Sequence, residues 1–244
     1  MQNEPHRETL TARLRSKKVL SESSQTWHLE FTADAPFSFI PGQFLSILAE
    51  RRYPAGHARA GESRMDTRAY SLASAPAGTS FDLCLNRLDT AGGRGYFSNL
   101  LCDLVPGAAI QFHGPHGNFT LRESTGPVLL IAEETGIAPI RSMLQANQDL
   151  SATLIQTSTA SSAPLYGEEF GGEESAATGP LHYLPVHDDA THAASLAAVK
   201  NTLAANSAVR EAYIVGLSPF VNAHRAQLKE LGWDRKQIIF ERYD

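Results

Sequence analysis

The hydrophobic pattern of this chain changes period once, at Gly126-Pro127. Before that point, short apolar or alternating runs recur at residues 9–19, 26–31, 43–49, 69–72, 81–86 and 109–114, separated by Pro-Gly, Asn and Asp turn residues. Period-two alternation puts successive side chains on opposite faces of a strand, so each run can bury one face and wet the other. Six such runs predict a small antiparallel barrel or sandwich, interrupted by one helix over about residues 97–104 that Pro106-Gly107 ends. After that point, Val128-Leu129-Leu130-Ile131 is apolar without alternation, the pattern of a parallel strand covered on both faces. Pro139 then suits the first turn of a helix continued by Ile140, Met143 and Leu144. Strand patterns at 153–156, 212–215 and 237–240 alternate with helical patterns at 196–203 and 221–231. The second part is therefore expected to be a doubly wound parallel α/β sheet, giving two domains, 1–125 and 126–244.

Two cores need a long chain, and 244 residues suffice. The formal charge of −5 leaves no broad basic footprint, so no nucleic-acid partner is expected. No apolar run nears the roughly 20 residues that cross a bilayer, and residues 1–15 lack the apolar centre of a signal peptide. Neither membrane insertion nor secretion is expected. Cys84 and Cys102 lack metal-site spacing and suggest no disulfide framework. Reduced thiols in a cytoplasmic protein follow, and two thiols cannot supply the four of a plant-type iron–sulfur cluster. Nine histidines show no ligand spacing, so no metal is assigned. Ser142, Ser195 and Ser218 lack a nucleophile elbow, so hydrolysis has no support. Residues 51–64 carry four arginines without periodicity and read as a solvated loop, with partner docking as the alternative.

The chemistry-bearing stretch is Arg68-Ala69-Tyr70-Ser71, where a strand runs toward a turn. Alternation puts Arg68 and Tyr70 on one face. Together they offer a cation to a diphosphate, a flat ring to a flavin and a hydroxyl to a flavin nitrogen. A half-buried strand end would satisfy the same residues. Further along, Gly95-Tyr96-Phe97-Ser98-Asn99-Leu100-Leu101 opens the predicted helix, whose first N–H groups form an anion site. Ser98 is a candidate cap for it.

In order and spacing, these segments resemble the ferredoxin–NADP reductase superfamily, together with Phe39-Ile40-Pro41-Gly42-Gln43-Phe44, Thr135-Gly136-Ile137-Ala138-Pro139 and the closing Phe240-Glu241-Arg242-Tyr243-Asp244. The resemblance implies an FAD-binding antiparallel β-barrel followed by a nicotinamide-nucleotide α/β domain. It implies that Arg68 pairs with the FAD diphosphate, with Ala69, Gly95, Tyr96, Phe97 and Ser98 lining that site. Tyr70 would pack on the isoalloxazine and Ser71 would reach its N5 edge. Tyr243 would cover the flavin face, and Glu241 with Ser71 would relay a proton. Thr135, Gly136, Pro139, Gly216 and, as a stacking residue, Tyr166 would meet NAD(P)H. The implied activity moves electrons between NAD(P)H and a separate carrier: a ferredoxin, a flavodoxin or an oxygenase component.

The chain departs from that pattern in its second half. Glu133 and Glu134 stand where relatives carry glycine or another small residue, and Val215 where they carry cysteine. Two carboxylates oppose a coenzyme's phosphates unless they point away. His187-Asp188-Asp189 replaces the groups that suit a 2′-phosphate and favours NADH over NADPH. An alternative stays open: a flavin-carrying electron-transfer or sensory subunit that has lost its dinucleotide and works only when docked.

Overall fold

The computed structural model describes residues 8–52, 58–88, 95–123, 126–159, 161–171 and 180–244. Six antiparallel strands, β1 (Leu10–Ser21), β2 (Thr26–Ala33), β3 (Phe44–Arg52), β4 (Ser63–Ser71), β5 (Ser80–Asn86) and β6 (Ala109–His116), form a sheet ordered β4-β3-β6-β1-β2-β5. A bridge between Leu72 and Leu83 joins its two edges, so the sheet closes as a barrel. Alternation does what the sequence predicts: Leu14, Leu29, Phe31, Leu45, Ile47, Phe81, Leu83 and Phe112 point inward and pack as one core. Phe31 and Phe81 stack with centroids 5.3 Å apart, and Phe37 and Phe112 meet Phe81 edge-on.

Residues 51–64 are a correction. β3 runs on to Arg52 and β4 begins at Ser63, with Arg51 opposite Arg64 and Arg52 opposite Ser63. The two ends of this segment are therefore paired strand, residues 58–61 form a turn, and residues 53–57 lie outside the described residues. Its side chains are mostly exposed on both faces, so no apolar alternation marked it as strand.

Five parallel strands follow: β7 (Val128–Glu133), β8 (Ala152–Ser158), β9 (Leu181–His187), β10 (Glu211–Gly216) and β11 (Ile238–Arg242), in the order β11-β10-β7-β8-β9. Helices α2 (Ile137–Ala146), α3 (Gly167–Gly171), α4 (Ala193–Ala205) and α5 (Ser218–Glu230) join them; α1 (Tyr96–Asp103) belongs to the barrel. Cores lie on both faces of the sheet. No described helix is long and apolar enough to cross a membrane. The expected boundary falls at residues 124–125, outside the described residues.

Helix α2 docks the second sheet on the barrel. Arg141 lies at its centre, donating from Nη1 to the Ala73 carbonyl at 2.7 Å and meeting Asp82 at 3.3 Å and Glu169 at 2.7 Å. Its guanidinium covers the Tyr166 ring at 4.5 Å, while the Tyr166 hydroxyl bonds His28 Nδ1 at 2.8 Å. One turn on, Ser142 Oγ donates to the Ser74 carbonyl at 2.6 Å, and Gln145 Oε1 accepts the Ala75 N–H at 3.1 Å. Ala73, Cys84 and Phe119 of the barrel share a core with Ile137, Ile140 and Met143. Cys84 and Cys102 are both buried and free, and burial pushes the Cys84 thiol up to about 12. Removing one partner of a half-buried charge network strands the others, so Arg141→Ala is expected to cost about 2–3 kcal/mol. Urea unfolding would measure it, with Arg141→Lys keeping part of the loss because one ammonium cannot reproduce the fork.

Candidate functional site

The last turn of β4 and the start of α1 meet at the barrel mouth. The Tyr70 hydroxyl and Ser98 Oγ share a hydrogen bond of 3.0 Å, and burial pushes the Tyr70 phenol up to about 12. Ser98 is therefore no helix cap: α1 begins after Gly95 at φ 77, a left-handed position where a Cβ would also lie 2.8 Å from that of Leu88. Its first turn holds no acidic residue, and its N-cap glycine offers no side-chain cap. Tyr96 donates its hydroxyl proton to the Glu50 carbonyl under the Arg51 guanidinium, and Phe97 is buried. Ala69 is exposed beside Arg68, and no described carboxylate pairs with Arg68. One unpaired guanidinium and one uncapped helix start, joined through Tyr70 and Ser98, fit a diphosphate.

The second sheet brings two more residues to this place. β11 extends to Arg242, with Glu241 opposite Val215, so the end of the chain as given is a paired strand rather than a frayed tail. Ser71 Oγ donates to Glu241 Oε1 at 3.1 Å, across the joint between barrel and sheet. Burial raises the Glu241 carboxyl to about 7, although the serine bond opposes the rise. Tyr243 is held by its backbone N–H on the Gly216 carbonyl at 3.1 Å. Its buried hydroxyl lacks a hydrogen bond of good geometry among the described residues. Burial together with the Glu241 charge holds that phenol well above its ordinary range, although Ser71 opposes the rise. The structure thus brings Tyr70 to Ser98 and Ser71 to Glu241, with Arg68 near Tyr70 on the same strand and Tyr243 near Glu241.

The carboxyl ends of β7, β8 and β10 give a different outcome. Gly136 is buried, and a Cβ there would lie 2.8 Å from the Val215 carbonyl; at Gly216 it would lie 2.7 Å from the Glu133 side chain. These glycines let the two loops close on each other. Pro139 is buried inside α2, and Thr135 sits half-buried in a single 3₁₀ turn, residues Glu134–Gly136. The stacking role expected of Tyr166 is corrected, because Arg141 occupies a ring face and His28 takes its hydroxyl. Glu133 and Glu134 do not point away: Glu133 Oε2 accepts the Leu217 N–H at 2.7 Å and Glu134 Oε1 the Thr159 N–H at 3.1 Å. Asp188 accepts from the Ala194 and Ser195 N–H groups at the start of α4, and Asp189 from Thr191. Asp244, on no motif's list of roles, accepts from the Ser218 N–H and hydroxyl. No spacing in the sequence marks that last pairing, which the fold alone creates.

Residues 11–121 match the model of the oxidoreductase FAD-binding domain family. The chain is 37% identical over 142 residues to ferredoxin–NADP reductase B of Sorangium cellulosum, a match covering 57% of this chain and 52% of that protein. Its barrel half is thus similar to that FAD-binding family, and the chain is similar in sequence to ferredoxin–NADP reductases. It spans about half the length of the curated relatives it matches. Solved structures share its two-part fold over nearly all of the chain. The ferredoxin–NADP+ reductase of Plasmodium falciparum with 2′P-AMP superposes with a TM-score of 0.75 at 18% identity, covering 96% of each chain. The ferredoxin reductase in carbazole 1,9a-dioxygenase superposes at 0.74 and 23% identity, over 97% of this chain and 68% of that one.

A carboxyl whose folded pKa lies above its unfolded value favours the fold while protonated, so that stability fades as pH rises toward about 7. Glu241→Gln stays neutral and still accepts from Ser71. Flavin-free protein carrying it is expected to match the wild type below about pH 4.5 and to exceed it by about 2 kcal/mol at pH 8. Urea denaturation across that range would show a constant difference if the carboxyl were not buried as described.

Proposed function

We propose that this chain is an FAD-dependent oxidoreductase that passes electrons between NAD(P)H and a separate one-electron carrier. The observation that carries the reading is the Ser71–Glu241 hydrogen bond at 3.1 Å. It unites a barrel residue, three positions after the guanidinium suited to a diphosphate, with a carboxyl from the α/β sheet that changes charge near neutrality. FAD, when bound, supplies the coupling of a two-electron donor to one-electron acceptors. The chain's own residues do the rest. Arg68 and the first N–H groups of α1 answer the diphosphate, with Ala69, Gly95, Tyr96 and Phe97 shaping that wall. Tyr70 offers its ring, Ser71 its hydroxyl, and Glu241 holds or releases a proton through Ser71. Tyr243 shields the neighbouring surface from water.

On the coenzyme side, Asp188 and Asp189 favour NADH over NADPH, since carboxylates accept from ribose hydroxyls and repel a 2′-phosphate. Thr135 is the accessible member of its loop; Gly136, Pro139 and Gly216 act by letting the loops pack. The relatives' names support an acceptor of this kind: a ferredoxin for the Sorangium protein, and an oxygenase system for the carbazole dioxygenase reductase. A flavodoxin meets the same one-electron requirement. The cytoplasm, where NADH and reduced thiols coexist, is the compartment this reading assigns.

Anaerobic addition of NADH to the FAD-loaded protein is expected to bleach the flavin absorbance, and NADPH to do so less readily. Persistence of the oxidised spectrum with both coenzymes at millimolar concentration would overturn the reading. Losing one charge-assisted bond to a phosphate costs about 1.5–3 kcal/mol, so Arg68→Ala is expected to weaken FAD binding at least tenfold, as followed by quenching of FAD fluorescence.

A further inference from the structure

In an open parallel sheet, ligands enter outside the carboxyl ends of the strands where the strand order reverses. Here β7 lies between β8 and β10, and the reversal falls between β7 and β10. The residues at that point are Glu133 and Glu134 on one side and Gly216 and Leu217 on the other. The gap is bridged from within: the Glu133 carboxylate crosses it to the Leu217 N–H at 2.7 Å. Glu134 reaches the opposite way, to the Thr159 N–H at 3.1 Å beyond β8. It does so from φ 48, a left-handed conformation that a non-glycine residue adopts at a cost. The hydrogen bond is what that conformation secures. A cavity of 230 Å³ opens beside both carboxylates, with Asp188 and His192 on its far wall. That is below the range of sites that enclose a drug-sized ligand, roughly 300–1,000 Å³.

The pattern repeats along the edge. Asp188 takes the first N–H groups of α4 and Asp244 the first of α5. The molecule also contains its own contrast: α1, beside Arg68, keeps its first turn free of acids and side-chain caps. Among the described residues, no side chain takes the backbone donors at the start of α1. Those of α4 and α5 are filled by the chain's own carboxylates.

We propose that Glu133 and Glu134 are specificity-determining residues that occupy the amides a coenzyme diphosphate would use, so that the coenzyme binds only by displacing them. This rests on the coenzyme reading given above, which it deepens: the same crevice is used, with an internal competitor built into it. A backbone N–H serves one strong acceptor at a time, so carboxylate and phosphate are alternatives there. A displaced carboxylate also stays within a few ångströms of the incoming charge.

The test uses ADP-ribose, which carries the diphosphate without the nicotinamide and so reports on the crevice independently of electron transfer. Calorimetric titration of the FAD-loaded protein is expected to show weak binding for the wild type. Glu133→Ala with Glu134→Ala is expected to bind at least tenfold tighter, and Glu133→Gln with Glu134→Gln, which keeps the acceptors but removes the charge, to fall between. Affinities within twofold of wild type for both pairs, or no binding heat from any of the three proteins, would overturn the proposal. If the alanine pair loses its FAD through misfolding, the glutamine pair decides alone. Tighter ADP-ribose binding without bleaching by NADH would overturn the reductase reading and leave this one standing. Bleaching with unchanged ADP-ribose affinity would do the reverse.

Discussion

A single guanidinium fixes how the two halves of this molecule face each other. Arg141 bonds a barrel carbonyl, a barrel carboxylate, a carboxylate of the α/β half and a tyrosine ring, all from the first turns of α2. The candidate site is shared between halves, with Ser71 on one and Glu241 and Tyr243 on the other, so its 3.1 Å hydrogen bond exists only while that joint holds. Arginine suits the task because its planar fork addresses several acceptors at once and it stays charged when partly buried. Packing of Phe119 and Cys84 into the core of α2 adds area, but area alone does not set angle; directional bonds do.

Most of the architecture was legible because it follows from period. Alternating runs became the barrel, the unbroken Val128-Leu129-Leu130-Ile131 run became the central strand β7, and α2, α4 and α5 fell where apolar residues recur at helical spacing. The short α3 and the edge strand β9 stood outside the predicted elements. What period could not show was the hairpin ribbon through Arg52 and Ser63, wet on both faces, where pairing is purely a backbone matter. The flavin-side residues were legible as a motif because they lie together on one strand and one helix start. Tyr166 misled for the opposite reason: its fate was decided by Arg141 and His28, 25 and 138 positions away in sequence. Asp244 and Ser218 are likewise brought together by the parallel pairing of β10 with β11, and no local pattern announces such a meeting.

The glycines of the second half show how a motif can survive while its physical use differs. A glycine in a nucleotide loop usually makes room for a phosphate. Here Gly136 makes room for the Val215 backbone and Gly216 for the Glu133 side chain. Either substitution would drive a Cβ into a neighbouring loop, so these positions would demand glycine whether or not a coenzyme ever entered. Glycine at these positions is therefore weak evidence about ligand. The carboxylates beside it have a structural use of their own, since they hold the Leu217 and Thr159 amides.

Three departures from ordinary protein chemistry lie at the seam between the halves. Glu241 keeps a carboxyl where burial raises it to about 7, Tyr243 buries a hydroxyl without a hydrogen bond of good geometry among the described residues, and Glu134 holds a left-handed backbone. Each departure costs free energy on the order of 1–3 kcal/mol. A seam could relax all three by parting slightly, yet the Ser142, Gln145 and Arg141 bonds on α2 and the β10–β11 ladder prevent it. Local strain that surrounding structure enforces is the usual mark of a working site, because folding alone gives no reason to keep it. By that criterion the seam, rather than either sheet, is the candidate site.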